Sequence, residues 1–188
     1  TGRCFDIGTA TAVALNRFLF DGTPVAGSKN PNSAGNGCLM RLAPVAIRYG
    51  KASGVDQAVA FTQSCETTHG AHECIDATIM FGHILSDALD GTTLKMGILS
   101  GPDPMDYAGR LMSIASGNYM GLARHQISGS GYVADALEAA LWCFHKTEDF
   151  SSAVLMAANL GEDADTTAAI TGQIAGAFYG IEGIPAKW

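Results

Sequence analysis

Apolar residues in this chain recur mostly three and four positions apart, which is the repeat of an α-helix. The clearest stripe lies within residues 131–146 and comprises Val133, Ala136, Leu137, Ala140, Leu141 and Phe144. Related patterns predict further helices over residues 7–19, 38–49, 55–67, 72–89, 105–115, 150–158 and 165–179. Convincing two-residue alternation, which is typical of strands, is missing from the sequence. Because helices with one apolar face bury it against each other, the pattern predicts an all-α fold, a compact orthogonal multi-helix bundle.

Three stretches interrupt the predicted helices. Residues 21–37 form an unusually long connector for a compact domain, and long ordered loops often carry function. Residues 91–106 contain the turn-forming pairs Gly-Pro and Asp-Pro, and residues 117–131 end in Ser-Gly-Ser-Gly before a helix. The connector at 21–37 is therefore the first candidate for a binding loop.

The composition, with 47% hydrophobic and 15% charged residues, is typical of a globular protein and predicts one domain over residues 1–188. The net charge of −7 argues against nucleic acid or an anionic membrane surface as a partner. No apolar run reaches the roughly 18–20 residues of a membrane-spanning helix. Five cysteines without CxxC spacing argue against a disulfide framework or a structural zinc site, and favour a reducing cytoplasm.

The densest chemical signal is GEDADTT at residues 161–167, directly before an Ala/Gly-rich helix. Helix capping explains one acidic residue there, because a carboxylate can accept hydrogen bonds from the first turn and favours the positive helix end. Three carboxylates within four residues exceed that need. The alternative is a divalent cation, for which Asp163, Asp165 and Thr166 supply hard oxygen donors. On residue chemistry alone, both interpretations stay open.

The segment NLGEDADTTAAITGQIAGAFYGIEGIPAKW resembles the C-terminal signature of the ADP-ribosylglycohydrolase family, which includes the dinitrogenase reductase-activating glycohydrolases. Four more blocks, GYVADALEAALWCF, TTHGAHE, AGNGCLMRLAPVA and FDIGTAT, occur upstream in the family's order and extend the resemblance over essentially the whole chain. The resemblance implies a helical bundle of the ADP-ribosylglycohydrolase type. It also implies a metal-dependent hydrolase that cleaves the N- or O-glycosidic bond of an ADP-ribosylated protein side chain or an ADP-ribose-containing small molecule.

The resemblance assigns roles to acidic residues at both ends of the chain. In the family, the Asp-x-Asp-Thr motif ligates two divalent cations, Mg²⁺ or Mn²⁺, which makes Asp163, Asp165 and Thr166 the expected ligands. Asp6 matches an acidic residue at the reaction centre of some members, and is the candidate general base or water-positioning group. An N-cap for the helix predicted at 7–19 is the equally open alternative for Asp6.

The resemblance also implies a set of ligand contacts. Gly35, Asn36 and Gly37 match the family's ligand-contacting turn, and a Gly-rich turn entering a helix presents free N–H groups that suit a diphosphate. An ordinary loop-to-helix junction is the alternative. His69 is expected at the phosphate or ribose, unless it is a structural histidine, and Tyr132 could stack on adenine or pack as a core or rim aromatic.

The sequence departs from the family by lacking an N-terminal Gly-Asp-rich block and a Thr-Asp-Asp-Thr block, which supply most of the remaining metal ligands. We therefore expect half of a two-metal site, exposed apolar surface, and a separate N-terminal fragment that completes the fold. A non-catalytic binding or structural relative, as in the lens crystallins, is the alternative function. A helical interaction module is a third hypothesis, against which the glycine turn and His69 argue.

Overall fold

A computed structural model describes residues 7–91, 94–101 and 103–188, and the regular secondary structure of these parts is helical. Their α-helices are α1 (Thr9–Asp21), α2 (Ala43–Tyr49), α3 (Gly54–Glu66), α4 (His72–Asp90), α5 (Lys95–Ser100), α6 (Gly109–Ala115), α7 (Val133–Lys146), α8 (Phe150–Ala158) and α9 (Ala164–Tyr179). Strand pairing within the same ranges is limited to two isolated bridges, Ser28 with His69 and Gly35 with Tyr132. The predicted all-α fold is confirmed.

Helix α7 lies at the centre of the core. Eleven of its 14 residues are buried, so α7 is enclosed on nearly all sides rather than on one face as its apolar stripe predicts. It packs against α4, α8 and α9. The many alanines of α7 and α9 keep these helices slim, which permits close packing of their backbones. This arrangement places the N-terminal ends of α7 and α9 beside the connector that precedes α2.

Two predicted helices begin later than their sequence pattern indicates. The helix expected over 38–49 is divided into a single 3-10 turn, Asn36–Cys38, and α2, which has Pro44 in its first turn. Proline has no N–H to donate to the preceding turn, so it favours a helix start at this point. The helix expected over 105–115 begins at Gly109, whose φ of 57° is incompatible with a continuous helix. Helix α5 was not predicted at all.

Helix α1 buries few apolar side chains against the rest of the fold. Its one buried residue is Ala14, whereas Leu19 and Phe20 are 80% and 92% exposed. Burial of large apolar side chains is normally the main stabilising contribution of a surface helix. The expected exposed apolar surface is therefore found on α1. None of the helices that the structure describes is long and apolar enough to cross a membrane.

Replacing Arg110 by Met should destabilise the protein in a pH-dependent manner. Arg110 Nη2 lies 2.9 Å from Glu138 Oε2 and 3.0 Å from Asp135 Oδ1, and Glu138 is buried in α7. Burial raises the pKa of Glu138, and Arg110 opposes that rise. Removing Arg110 leaves the buried carboxylate without its cation. We expect a loss of about 1–3 kcal/mol near pH 8, less than for a fully buried pair because half of the Arg110 side chain is exposed.

The sign of the pH dependence follows from the raised folded-state pKa of Glu138. The contribution of Glu138 to the free energy of unfolding is complete while Glu138 is protonated in both the folded and the unfolded state. It is lost as the pH rises through the folded-state pKa. The difference between wild type and Arg110→Met should therefore be small near pH 4.5 and grow toward pH 8 in urea unfolding experiments. Adding Glu138→Gln and Asp135→Asn to both proteins removes the two carboxylates that contact Arg110, and a pH dependence of the stability difference that survived these changes would contradict the explanation.

Candidate functional site

The carboxylate of Asp163 does not cap the helix that it precedes. Asp163 is the N-cap residue of α9, but its side chain accepts no hydrogen bond from the first turn. Asp163 Oδ2 instead accepts a hydrogen bond from Asn36 Nδ2 at 2.8 Å, across a sequence separation of 127 residues. The capping interpretation is therefore wrong for this side chain, which is turned toward the glycine turn at 35–37.

The backbone just before Asp163 has an uncommon conformation. Gly161 and Glu162 both lie in the left-handed region, with φ of 81° and 56°. Glu162 is the one non-glycine residue of the described ranges with positive φ, a conformation that costs about 1–2 kcal/mol for an L-residue. Its carboxylate accepts a hydrogen bond from Ser128 Oγ at 2.8 Å, and Asp163 N donates to Gly129 O at 3.0 Å. These contacts fix the direction in which Asp163 enters α9.

The turn formed by Gly35, Asn36 and Gly37 is bonded to two helix starts. Asn36 N donates to Gly131 O at 3.0 Å just before α7, and the Asn36 amide reaches Asp163 before α9. Gly35 N donates to Ser33 O at 2.8 Å. The expectation that this turn offers free N–H groups to a diphosphate is therefore wrong at Gly35 and Asn36, whose N–H groups already donate to protein carbonyls.

His69 packs its ring against this turn. A Cβ atom built on Gly37 would lie 2.9 Å from His69 Cε1, and one built on Gly35 would lie 3.3 Å from Nε2. The ring is nearly fully buried, and its Nδ1 lies 2.7 Å from Thr68 Oγ1. Burial lowers the pKa of His69; the adjacent Cys38 opposes this and the positive charge of Arg41 adds to it. The imidazole is therefore neutral near pH 7.

Arg41 is a site residue that the sequence analysis missed. Its guanidinium donates to Gly37 O at 3.2 Å and to Thr68 Oγ1 at 2.6 Å, so it joins the glycine turn to the segment that carries His69. It also donates to Ser64 O at 3.2 Å, at the end of α3. A signal was present, since Arg41 is the lone charged residue within the apolar block CLMRLAPVA.

One cavity of about 410 Å³ collects most of the residues predicted for the site. Its wall includes Gly35, Asn36, Gly37, His69, Asp163, Asp165 and Thr166, together with residues 8–11 at the start of α1. Asp165 is exposed, Asp163 is half-buried and Thr166 is buried. Asp6, the predicted general base, lies outside the described residues. The fold thus brings the starts of α1 and α9 together with the glycine turn.

Tyr132 lies in a neighbouring cavity of about 830 Å³, which shares Thr9, Ala10, Gly35 and Gly131 with the smaller one. The Tyr132 hydroxyl donates a hydrogen bond to Glu73 Oε1, at the start of α4. Burial, and then this hydrogen bond, raise the pKa of Tyr132 to about 12, so the phenol remains a donor. Glu73 was also missed, because it forms this contact across 59 residues of sequence.

The donor chemistry of the smaller cavity suits a hard divalent cation in part. Asp163 and Asp165 offer carboxylate oxygens, and Thr166 offers a hydroxyl whose Oγ1 otherwise meets the weak acceptor Met40 Sδ at 3.8 Å. Among residues 7–91, 94–101 and 103–188, no group of three or more His, Cys, Asp or Glu side chains is arranged to hold a metal ion. The described residues therefore provide two carboxylates and one hydroxyl of the six or more ligands that such cations take.

Replacing Gly37 by Ala should displace His69 and weaken ligand binding by about tenfold. The new Cβ would lie 2.9 Å from the imidazole, whose other edge is held by Thr68, so the ring cannot retreat without losing that hydrogen bond. Calorimetric titration with ADP-ribose measures the effect. Gly54→Ala is the matched control, because no atom lies within 4 Å of a Cβ at the start of α3. Equal affinities of the two variants would contradict the role of this close contact.

Comparison with known proteins yields a consistent set of relatives. Residues 1–188 match the family model described as ADP-ribosylglycohydrolase. ADP-ribosylarginine hydrolase Tri1 of Pseudomonas putida (strain GB-1) is 42% identical over 187 residues, and Tri1 of Serratia proteamaculans (strain 568) is 41% identical. Both alignments cover 100% of this chain and 50% of the relative. The chain thus spans half the length of these two hydrolases.

More distant relatives agree with this result. ADP-ribosyl-(dinitrogen reductase) glycohydrolase of Rhodospirillum rubrum is 28% identical over 188 residues, covering 99% of this chain and 60% of its own. A solved structure described as an ADP-ribosylglycohydrolase-related protein complex superposes with a TM-score of 0.85 at 37% identity. That superposition covers 96% of this chain and 62% of the solved chain.

Proposed function

Because this chain belongs to the ADP-ribosylglycohydrolase family, we propose that it carries half of a two-metal site in a hydrolase of ADP-ribosyl conjugates. The observation that supports this most directly is the convergence of Asp163, Asp165 and Thr166 with the glycine turn and His69 on one cavity. The Asp163 carboxylate is not used for capping, which leaves its oxygens available to the cavity. The substrate class that we propose is ADP-ribosylated arginine, on which the two most similar relatives reported above are named to act.

In the proposed reaction, the bond between the anomeric carbon of ribose and a guanidinium nitrogen breaks. A water oxygen forms the new bond to that carbon, and the departing nitrogen takes up a proton, which gives free ADP-ribose and arginine. Asp163, Asp165 and Thr166 would hold Mg²⁺ or Mn²⁺, and such a cation would supply Lewis acidity at the ribose. Asp6 is proposed as the general base that receives the proton of the attacking water.

The two adjoining cavities suggest how the ADP-ribose is placed. We assign the ribose and diphosphate to the smaller cavity, against Gly37 and His69. We assign the adenine to the larger one, where Tyr132 offers an aromatic face whose hydroxyl is fixed by Glu73. The shared residues Gly35 and Gly131 carry no side chain that would separate the cavities.

The remaining metal ligands are proposed to come from a further part of the enzyme. The two Tri1 hydrolases are about twice as long as this chain, and α1 exposes apolar side chains close to the site. An N-terminal fragment that packs on α1 would bury those side chains and bring its ligands to the cavity. The described cysteines, Cys38, Cys65, Cys74 and Cys143, are free and buried, and we propose a reducing compartment such as the cytoplasm.

The test is release of free ADP-ribose from an ADP-ribosylated arginine substrate, with Mg²⁺ or Mn²⁺ and with EDTA. Calorimetric titration with ADP-ribose and with each metal is made on the same sample, whose intact mass identifies the polypeptides present. Metal-dependent release supports the proposal. If the mass is 19.5 kDa, the mass of this chain alone, and neither ligand binds, the proposal fails and a non-catalytic relative becomes the better explanation.

A further inference from the structure

Arg41 lies at the glycine turn, and hydrogen bonds of its guanidinium fix its position there. Its guanidinium can only donate hydrogen bonds, and the shortest of those it makes is the 2.6 Å bond to Thr68 Oγ1. The other bonds, to Gly37 O, Ser64 O and Thr67 Oγ1, fix the guanidinium between the turn and the end of α3. A charged donor at this distance makes Thr68 Oγ1 an acceptor.

Thr68 must then donate its own proton elsewhere. The hydroxyl is buried, and the hydrogen bonds found for it within the described ranges are those with Arg41 and with His69 Nδ1 at 2.7 Å. If Nδ1 carried a proton, the Thr68 oxygen would receive two donors and its own proton would have no acceptor in these ranges. An unsatisfied buried hydroxyl proton is unfavourable. Nδ1 is therefore the acceptor, and the proton of a neutral His69 ring lies on Nε2.

The Nε2 atom of His69 lies at the glycine turn, beside the cavity to which we assign the ribose and diphosphate. Nε2 is 3.3 Å from the position of a Cβ on either Gly35 or Gly37, and His69 lines the cavity that also contains Asp163, Asp165 and Thr166. The N–H groups of Gly35 and Asn36 already donate to protein carbonyls. A neutral N–H at Nε2 thus adds a donor, without adding a positive charge beside the acidic residues.

We propose that Arg41, acting through the Thr68 hydroxyl, is a positioning residue that keeps His69 as the Nε2–H tautomer. In this form His69 donates a hydrogen bond to an oxygen of the bound ADP-ribose and does not act as a base. The assignment of the tautomer stands on the ligand-free geometry, whereas the identity of the acceptor rests on the proposed function. The two parts can therefore fail separately.

The tautomer is read by ¹⁵N NMR on ligand-free protein labelled at histidine, with His69 assigned by the signal that His69→Gln removes. At pH 7.5 we expect protonated Nε2 and an Nδ1 resonance shifted by an accepted hydrogen bond. Thr68→Ser keeps the hydroxyl and should keep both signatures, whereas Thr68→Val is nearly isosteric and should lose the hydrogen-bonded Nδ1 signature. A protonated Nδ1 in the wild type, or identical spectra for Thr68→Val and wild type, would overturn the proposal.

Binding of ADP-ribose tests the role of the donor. The side-chain amide of glutamine can place an N–H near the position of Nε2, so His69→Gln should bind within about threefold of wild type, whereas His69→Leu should lose at least about tenfold. Equal losses in both variants would overturn the donor role. If the wild type shows the expected tautomer but does not bind ADP-ribose, the proposed function fails and the assignment of the tautomer stands.

Discussion

Replacing Asp165 by Asn should reduce the affinity for Mn²⁺ or Mg²⁺ by at least about 100-fold, with a parallel loss of ADP-ribose release. Asp165 is exposed at the start of α9 and lines the smaller cavity, so its carboxylate can ligate a cation without a change of fold. Asparagine has the same shape but lacks the charge that attracts a hard cation. Calorimetric metal titration and an ADP-ribose release assay measure the two losses.

Glu162→Gln is the matched control for Asp165→Asn. It removes one charge three positions earlier in sequence, but the Glu162 carboxylate is bonded to Ser128 and does not line the smaller cavity. We expect at most a few-fold change in metal affinity for Glu162→Gln. Equal losses in both variants would mean that Asp165 contributes general negative potential and is not a ligand.

The stability of Asp165→Asn separates metal ligation from the capping alternative. If Asp165 mainly stabilises the positive end of the α9 dipole, its replacement should lower the free energy of unfolding by about 0.3–1 kcal/mol and leave metal affinity unchanged. If it is a metal ligand, removal of its charge relieves repulsion from Asp163, and metal-free stability should not fall. Urea unfolding in EDTA therefore decides between the two interpretations.

The helices could be predicted from the sequence because their signals are local. Apolar spacing within 14 to 19 residues identifies α4, α7 and α9, whatever they pack against. The errors fall where one residue changes the backbone, at Pro44 and at Gly109. Helix α5 was missed because six residues are too few to show a repeat and it lies among turn-forming dipeptides.

The residues of the candidate site, like the helices, could be predicted where the signal lies in a short segment. They could not be predicted where a contact joins residues far apart in sequence. The acidic motif around Asp163 and the glycine turn were visible as short segments. The bond between Asn36 and Asp163 joins residues 127 positions apart, and no local pattern contains it. The N–H group of Asn36 was expected to be free because its acceptor, Gly131 O, comes from a distant segment just before α7. Partners of this kind are decided by tertiary packing.

Replacing Gly82 by Ala should destabilise the core, although it adds only one methyl group. Gly82 lies in the middle of α4, and a Cβ there would stand 2.5 Å from Cδ2 and Cε2 of Phe61 in α3. Phe61 is fully buried and packs edge-on against His83, with ring centroids 5.8 Å apart, so it has no space to move into. The clash should outweigh the gain of up to about 1 kcal/mol that alanine brings inside a helix.

Gly172→Ala in α9 is the control, because its Cβ would meet Val154 Cγ2 at an ordinary 3.7 Å and should show the helix gain alone. The helix gain is common to both variants and overpacking costs about 1–3 kcal/mol, so their free energies of unfolding should differ by about 1–3 kcal/mol. At about 2–4 °C per kcal/mol for a chain of this size, the melting temperatures should differ by at least about 2 °C. Two variants of equal stability would show that α3 and α4 can move apart at this contact, and that the packing of Phe61 on Gly82 does not fix their separation.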